Sequence, residues 1–245
     1  MRTGVVAELA ATAVAAGCVF VAVPIAVAAP DKPNDSTLCS FSELDTCDRS
    51  EQMGGFARAG ERMLSEYLTQ LGIPLESLPA LTFIRTAGNV GSGCVDINGD
   101  AVQHDRSFDY CPTDNTVYVG QNTLWDYYRQ YGAAGPLSGL AHEYGHFLQS
   151  VRQVPQPSSA TDTIGNEDQA DCFSGAFIGY LHGQGKALYA NDLDSIEQYL
   201  TATASVEAPG RDHGTARERI ESFELGYGGS LTSCSRFYPA TPLIR

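Results

Sequence analysis

Residues 138–151 read Ser138-Gly139-Leu140-Ala141-His142-Glu143-Tyr144-Gly145-His146-Phe147-Leu148-Gln149-Ser150-Val151. The spacing predicts a helix over Ser138–Val151, entered through Gly135-Pro136. His142 and His146 stand at i and i+4, so both imidazoles lie on one face, one turn apart, and can meet one metal ion. Glu143 sits beside that face, where it can hold a water. Two histidines and a glutamate at this spacing form the HExxH pattern of zinc sites, with the glutamate as general base. Two ordinary surface histidines would share the spacing, so the rest of the chain has to decide.

A catalytic zinc takes three protein ligands and keeps one open position. The other histidines, His104, His182 and His213, stand at no short spacing from the pair. Gln149 and Arg152 occupy the places where an HExxHxxGxxH site needs Gly and His, which excludes that class. Further on comes Asn166-Glu167-Asp168-Gln169-Ala170-Asp171. Glu167 and Asp171 are again i and i+4 and share a face. Two antiparallel helices joined by a loop bring Glu167 to a metal beside His142 and His146. Asp171, one turn along, then accepts the spare ring N–H of a ligand histidine, fixing its tautomer. The competing reading is a solvated acidic helix start, which the helix dipole favours by itself.

Around these two segments the pattern is strands first and helices after, an α+β class. A helix is expected over Phe56–Leu71, stopped by Gly72 and Pro74. Short strands follow at Leu81, Phe83 and Ile84 and at Val117-Tyr118-Val119, with a turn at Asp96-Ile97-Asn98-Gly99-Asp100 between them. The later helices are expected over Leu124–Tyr131, Ser138–Val151, Glu167–His182, Asp194–Val206 and about Gly214–Leu225. A Pro-, Ser- and Thr-rich loop is expected over Gln153–Asn166. Asp194 and Glu197 read as a capping box. Gly145 is costly in a helix interior, by about 1 kcal/mol against Ala, which suggests close approach of another element, the Glu167 helix being the candidate. Tyr144 points away from the two histidines and reads as packing. Trp125, Tyr127 and Tyr128 read as packing and surface aromatics, and His104 and His182 as surface or structural histidines.

Composition narrows the surroundings. With 43% apolar residues the 245-residue chain can build a core. Fifteen basic against 29 acidic residues give a net charge of -14, which repels phosphate backbones and excludes nucleic acid as a natural partner. Residues 9–29 are mostly Ala and Val and end in Ala26-Val27-Ala28 before Pro30. This reads as a secretory signal over 1–28, cleaved after Ala28; the other reading is an uncleaved anchor, the one route to a membrane. Residues 29–54 form a cysteine-containing loop, and 55–245 a single domain. Of seven cysteines, Cys18 lies in the signal. The six left, Cys39, Cys47, Cys94, Cys111, Cys172 and Cys234, imply three disulfides in an oxidising, extracytoplasmic space, with every pairing open.

The Glu-x-x-x-Asp element after HExxH resembles the thermolysin-like zincins. More closely, the chain resembles the bacterial neutral zinc metallopeptidase family, through His142-Glu143-Tyr144-Gly145-His146, Gln169-Ala170-Asp171-Cys172-Phe173-Ser174-Gly175, Tyr110-Cys111-Pro112 with Val117-Tyr118, and His213-Gly214-Thr215. The matching stretches span about residues 85–240. Asp168, where members often carry Leu, and Ala216-Arg217-Glu218-Arg219, where a Ser-rich run is usual, depart from the pattern. The resemblance implies a zincin-like α+β fold, in which a helical bundle carries the HExxH and Glu-x-x-x-Asp helices. It implies Zn2+ held by His142, His146 and Glu167, with Glu143 as catalyst and Asp171 behind the ligands. It implies the disulfides Cys94–Cys111 and Cys172–Cys234, leaving Cys39 with Cys47. His213 is then a candidate oxyanion donor, a structural or helix-capping histidine being the other reading.

The function these readings point to is an exported zinc endopeptidase acting on a peptide or protein substrate, which the Val117–Val119 strand would bind as an added strand. The alternative is a non-catalytic, zinc-stabilised module of the cell envelope. Cys172–Cys234 is expected to fix the Glu167 helix against the helix that follows His213.

Overall fold

The computed structural model describes residues 44–95, 99–156, 160–186, 191–208 and 211–244. The expected signal segment, its cleavage point, Cys39 and most of the Asp96–Asp100 turn lie outside the described residues. Cys47 lies within them and is buried. The architecture is mixed α and β, as the strand-then-helix pattern requires.

Helix α1 runs from Met53 to Gln70 and buries Phe56, Met63, Leu64, Tyr67 and Leu68. It starts earlier than the apolar spacing indicates, and single 3-10 turns at Leu44–Thr46 and Ser50–Gln52 precede it. The expected loop over 29–54 is therefore already helical in its last residues. Strand β1 (Ala80–Ile84) pairs in parallel with β5 (Thr116–Gly120), and β4 (Phe108–Cys111) pairs antiparallel with β5 on its other side. The sheet order is β1-β5-β4; β2 (Asn89–Gly91) and β3 (Val102–His104) form a separate pair. All five residues of β5 are buried, as expected of a strand flanked on both edges. This overturns the expectation for Val117-Tyr118-Val119: the strand is central, its backbone groups are used, and no peptide can add to it. Among the described residues the edge strands of this sheet are β1 and β4, and β4 lies against the helix that carries Glu143.

Five further helices follow among the described residues: α2 (Gln121–Tyr131), α3 (Ala134–Arg152), α4 (Ala160–Gly183), α5 (Asp192–Ala202) and α6 (Ala216–Gly229). Gly135-Pro136 lies inside the first turn of α3, where the N–H that proline lacks has no helical partner anyway. Helix α4 begins at Ala160, so the second half of the expected Gln153–Asn166 loop is helical. In α5 the cap position is Asn191, without a side-chain cap bond, and the Asp194–Glu197 capping box is not formed. The box sits instead at the start of α6, where Thr215 Oγ1 accepts from the Glu218 N–H and the Glu218 side chain accepts from the Thr215 N–H.

Helices α3 and α4 are the buried centre. They cross where a Cβ on Gly145 would lie 2.9 Å from the Ala170 Cα. Replacing Gly145 would push the helices apart, which accounts for a glycine in mid-helix. A Ser138–Ser174 pair, with hydroxyls 2.8 Å apart, ties them on one side of the crossing. Helices α4 and α6 are closer still: a Cβ on Gly175 would lie 1.9 Å from the Phe223 carbonyl oxygen, and one on Gly226 1.9 Å from that of Cys172. Two disulfides are present among the described residues, Cys94–Cys111 and Cys172–Cys234. Among the described residues no helix is long and apolar enough to cross a membrane.

Candidate metal centre

Because α3 and α4 are antiparallel and nearly touch at Gly145 and Ala170, side chains one turn either side of the crossing meet. His142 and His146 project from α3, and Glu167 and Asp171 from α4. Nε2 of His142 and Nε2 of His146 are 3.0 Å apart. Glu167 Oε2 lies 3.2 Å from the first and Oε1 3.3 Å from the second. His142, His146 and Glu167 together can hold a metal ion, with one donor atom of each within 4.8 Å of the others.

The remaining ring nitrogens fix the tautomers. His142 Nδ1 is 2.7 Å from Asp171 Oδ1. The ionised carboxylate only accepts, so Nδ1 carries the proton and Nε2 offers its lone pair. His146 Nδ1 is 2.9 Å from Gln149 Oε1. The Gln149 amide nitrogen donates to the Asn166 carbonyl at 2.7 Å and to Gln169 Oε1 at 3.2 Å. Its oxygen therefore faces His146 as an acceptor, and His146 also presents Nε2.

Two lone pairs and a carboxylate thus converge in a nearly buried place. Such an arrangement demands a positive charge at its centre, a proton or a metal ion. Burial disfavours the His142 imidazolium, yet the Asp171 and Glu167 carboxylates outweigh it and push the ring up to about 10. Burial also opposes charge on Glu167, but His146 and His142 hold it well below the usual carboxylate range. Glu167 Oε2 is buried and, by hydrogen-bond geometry, unpartnered, although His142 Nε2 is 3.2 Å away. Two imidazole nitrogens and one carboxylate, with an orphaned buried oxygen among them, fit a metal cation.

Glu143 follows His142 on α3. Its Oε2 accepts from the Tyr110 N–H of the edge strand β4 at 2.9 Å. Burial raises its pKa, with the two histidines pulling the other way, so it is a stronger base than an exposed glutamate. A cavity of about 230 Å3 opens onto His146 and Glu167, lined by Tyr110, Pro112, Gln149 and Ser150 on one side of the pair.

His213 precedes α6. Its Nε2 lies 3.6 Å from Glu167 Oε2, too far for a hydrogen bond, and its side chain is 42% exposed. Its Nδ1 is 3.3 Å from Asp212. The helix cap is Thr215, so the capping reading of His213 does not hold. His104, on β3, accepts at Nδ1 from the Arg106 N–H, and His182 stacks on Tyr227; neither joins the cluster. Tyr144 is fully buried.

Two residues of the site escape the sequence reading. Gln149 counted only as evidence against another ligand pattern, yet it holds His146; its i+3 spacing is the signal. In the sequence Arg219 stands out only as part of a departure from the family pattern. It is 2% exposed and grips Asp171 with Nε at 2.8 Å and Nη2 at 2.9 Å. Burial opposes the Asp171 charge, but Arg219 and then His142 hold the carboxyl at about 2. The Cys172–Cys234 bridge joins α4 to the turn after α6. There the Cys234 carbonyl accepts from Gln169 at 3.2 Å, so the bridge backs the amide network behind His146. No family model, curated protein or solved structure matches the chain.

Proposed function

We propose that this protein is an exported zinc-dependent endopeptidase of the zincin type, as the resemblance to the bacterial neutral zinc metallopeptidases implies. The observation that carries the reading is the convergence of His142 Nε2, His146 Nε2 and the Glu167 carboxylate beside Glu143, at the edge of a cavity. His142, His146 and Glu167 would hold the ion. Zinc supplies a Lewis acid that polarises a carbonyl and eases deprotonation of water.

The chain's own residues do the rest. Tyr110 N–H ties one oxygen of Glu143 and leaves the other to take a proton from the attacking water. The same carboxyl then passes that proton to the leaving amine nitrogen. With Nδ1 turned to Asp212, His213 would donate from Nε2 to the oxyanion at the scissile carbonyl in its imidazolium form, in which both ring nitrogens carry protons. An extended peptide would lie along the outer edge of β4 rather than on β5, pairing with the backbone groups other than the Tyr110 N–H that Glu143 holds, with a side chain entering the cavity beside Tyr110 and Ser150. The net charge of -14 keeps nucleic acid away from such a site. The disulfides suit an oxidising compartment outside the cytoplasm.

Metal content of the purified protein, followed by cleavage of an unfolded protein with and without a chelator, tests this reading. Stoichiometric zinc and chelator-sensitive cleavage are expected. Glu143→Gln should retain zinc and lose hydrolysis. Zinc binding with no cleavage of any unfolded protein would favour the non-catalytic module, and full activity of Glu143→Gln would sink the mechanism.

A further inference from the structure

The groups behind His142 form a chain that leaves the cluster and ends on a different helix. Asp171 is fully buried, and its Oδ1 is shared between His142 Nδ1 and Arg219 Nη2. Its Oδ2 is held by Arg219 Nε. The third guanidinium nitrogen, Nη1, donates to the Thr203 carbonyl at 3.1 Å and to Thr203 Oγ1 at 2.6 Å. Thr203 caps the C-terminus of α5, so that carbonyl is one of those a helix end leaves unpaired, and a cation is favoured there.

All three nitrogens of Arg219 are engaged, from two directions, with four hydrogen bonds. A planar fork can do this; a lysine ammonium cannot grip both carboxylate oxygens and reach Thr203 as well. The backbones on either side are pinned, because α4 and α6 touch at Gly175 and Gly226. The one soft coordinate left is rotation of the Asp171 carboxylate about its last torsion, which is intrinsically broad. Arg219 removes it.

We propose that Arg219 is a positioning residue for the metal centre: anchored on Thr203, it fixes the plane of the Asp171 carboxylate and through it the direction of His142 Nε2. This rests on the metal-centre reading above. An ion pair that merely joined α4 to α6 would affect folding and leave the metal's surroundings alone. A positioning role changes how the bound metal is held, and ångström-scale drift in such a shell is costly.

The test compares wild type, Arg219→Lys and Thr203→Val, each loaded with Zn2+ or with Co2+ alone. Zinc affinity is read by competition with a chromophoric chelator, and coordination by the cobalt d–d absorption bands. Arg219→Lys is expected to weaken zinc binding about tenfold and to shift the cobalt bands. Thr203→Val, which keeps the ion pair and loosens its anchor, should move both readouts the same way, by about threefold in affinity. If Arg219→Lys fails to fold, Thr203→Val carries the test alone. Wild-type affinity and superimposable cobalt bands in a folded variant overturn the role of Arg219 only. A wild type that takes up neither ion overturns the metal centre itself, and this role with it.

Discussion

His142 and His146 sit one turn apart on α3, yet the groups behind them differ in origin, charge and exposure. Behind His142 stands Asp171 from α4, held by Arg219 from α6 and through it by the end of α5: a buried ion pair whose members are 48 residues apart. Behind His146 stands Gln149, three residues along the same helix, a neutral amide tied to the Asn166 carbonyl and to Gln169. The His142 side chain is 6% exposed and that of His146 22%. Tertiary structure thus builds one half of the cluster, and local helix geometry most of the other. The charged half is a matter of all or nothing, since removing either member leaves a buried charge alone. The amide half can lose a bond and still be wetted from the cavity.

The largest effect should come from breaking the charged half. Asp171→Leu strands the Arg219 guanidinium in the interior and is expected to cost about 3–5 kcal/mol of folding stability. It should also lower zinc affinity by about ten- to a hundredfold. Denaturant unfolding and chelator competition measure the two. Next comes the double replacement Cys172→Ser, Cys234→Ser. Opening a bridge across 62 residues should remove at most about 4 kcal/mol, with little loss of zinc affinity once the variant is held below its melting temperature. The bridge backs Gln169 rather than a metal donor, so a large loss there would show that the amide half depends on distant structure too.

Gln149→Leu should cost less, about 1–3 kcal/mol, for the acceptors it leaves unmet. It should weaken zinc binding by no more than about tenfold. If it matches Asp171→Leu in both measurements, the contrast between the halves is wrong.

The smallest effect belongs to the third flank, the β4 edge, where Asp109 is only half-buried and water screens its charge. Burial, with the Glu143 and Asp114 charges adding to it, pushes the Asp109 carboxyl up to about 7. A carboxyl raised in the fold binds its proton there and not in the unfolded chain between pH about 4 and 7. Stability from this group therefore falls as pH rises through that window. Asp109→Asn should flatten this part of the stability–pH curve and be slightly more stable than wild type at pH 8. Thermal melts across the window would show it, and an unchanged slope would refute it.

The comparison also shows what a sequence can disclose. His142, His146, Glu167 and Asp171 were legible because helix periodicity puts i and i+4 on one face, and Gly145 hinted at the crossing that brings the faces together. Gln149 obeys the same periodicity, but its residue type in the sequence speaks only against a third histidine ligand nearby. Arg219 was not legible: nothing local marks an arginine as buried, and only the glycine seam between α4 and α6 carries it inward. Val117-Tyr118-Val119 misled for a physical reason. A continuous apolar run marks burial of both faces and says nothing of the edges, and here both edges of β5 are paired, with β1 and β4. The capping residues misled at α5, where the helix starts at Asp192 and places Asp194 within its first turn, favoured there by the dipole.

The seam between α4 and α6 has a consequence for how this chain can vary in length. Arg219, Ser222, Phe223 and Gly226 fall at i, i+3, i+4 and i+7, a single stripe buried along α6. One residue inserted between Arg219 and Gly226 would turn the stripe's two ends about 100° apart and lengthen it by about 1.5 Å. Either Gly226 would keep its place and Arg219 swing out towards solvent, or Arg219 would stay and a bulky side chain be driven into the Cys172 carbonyl. Insertions and deletions should therefore be lethal within this one short helix while the surface turns absorb them. A library of single-codon insertions scored for folded, zinc-binding protein would draw that boundary at Arg219 and Gly226.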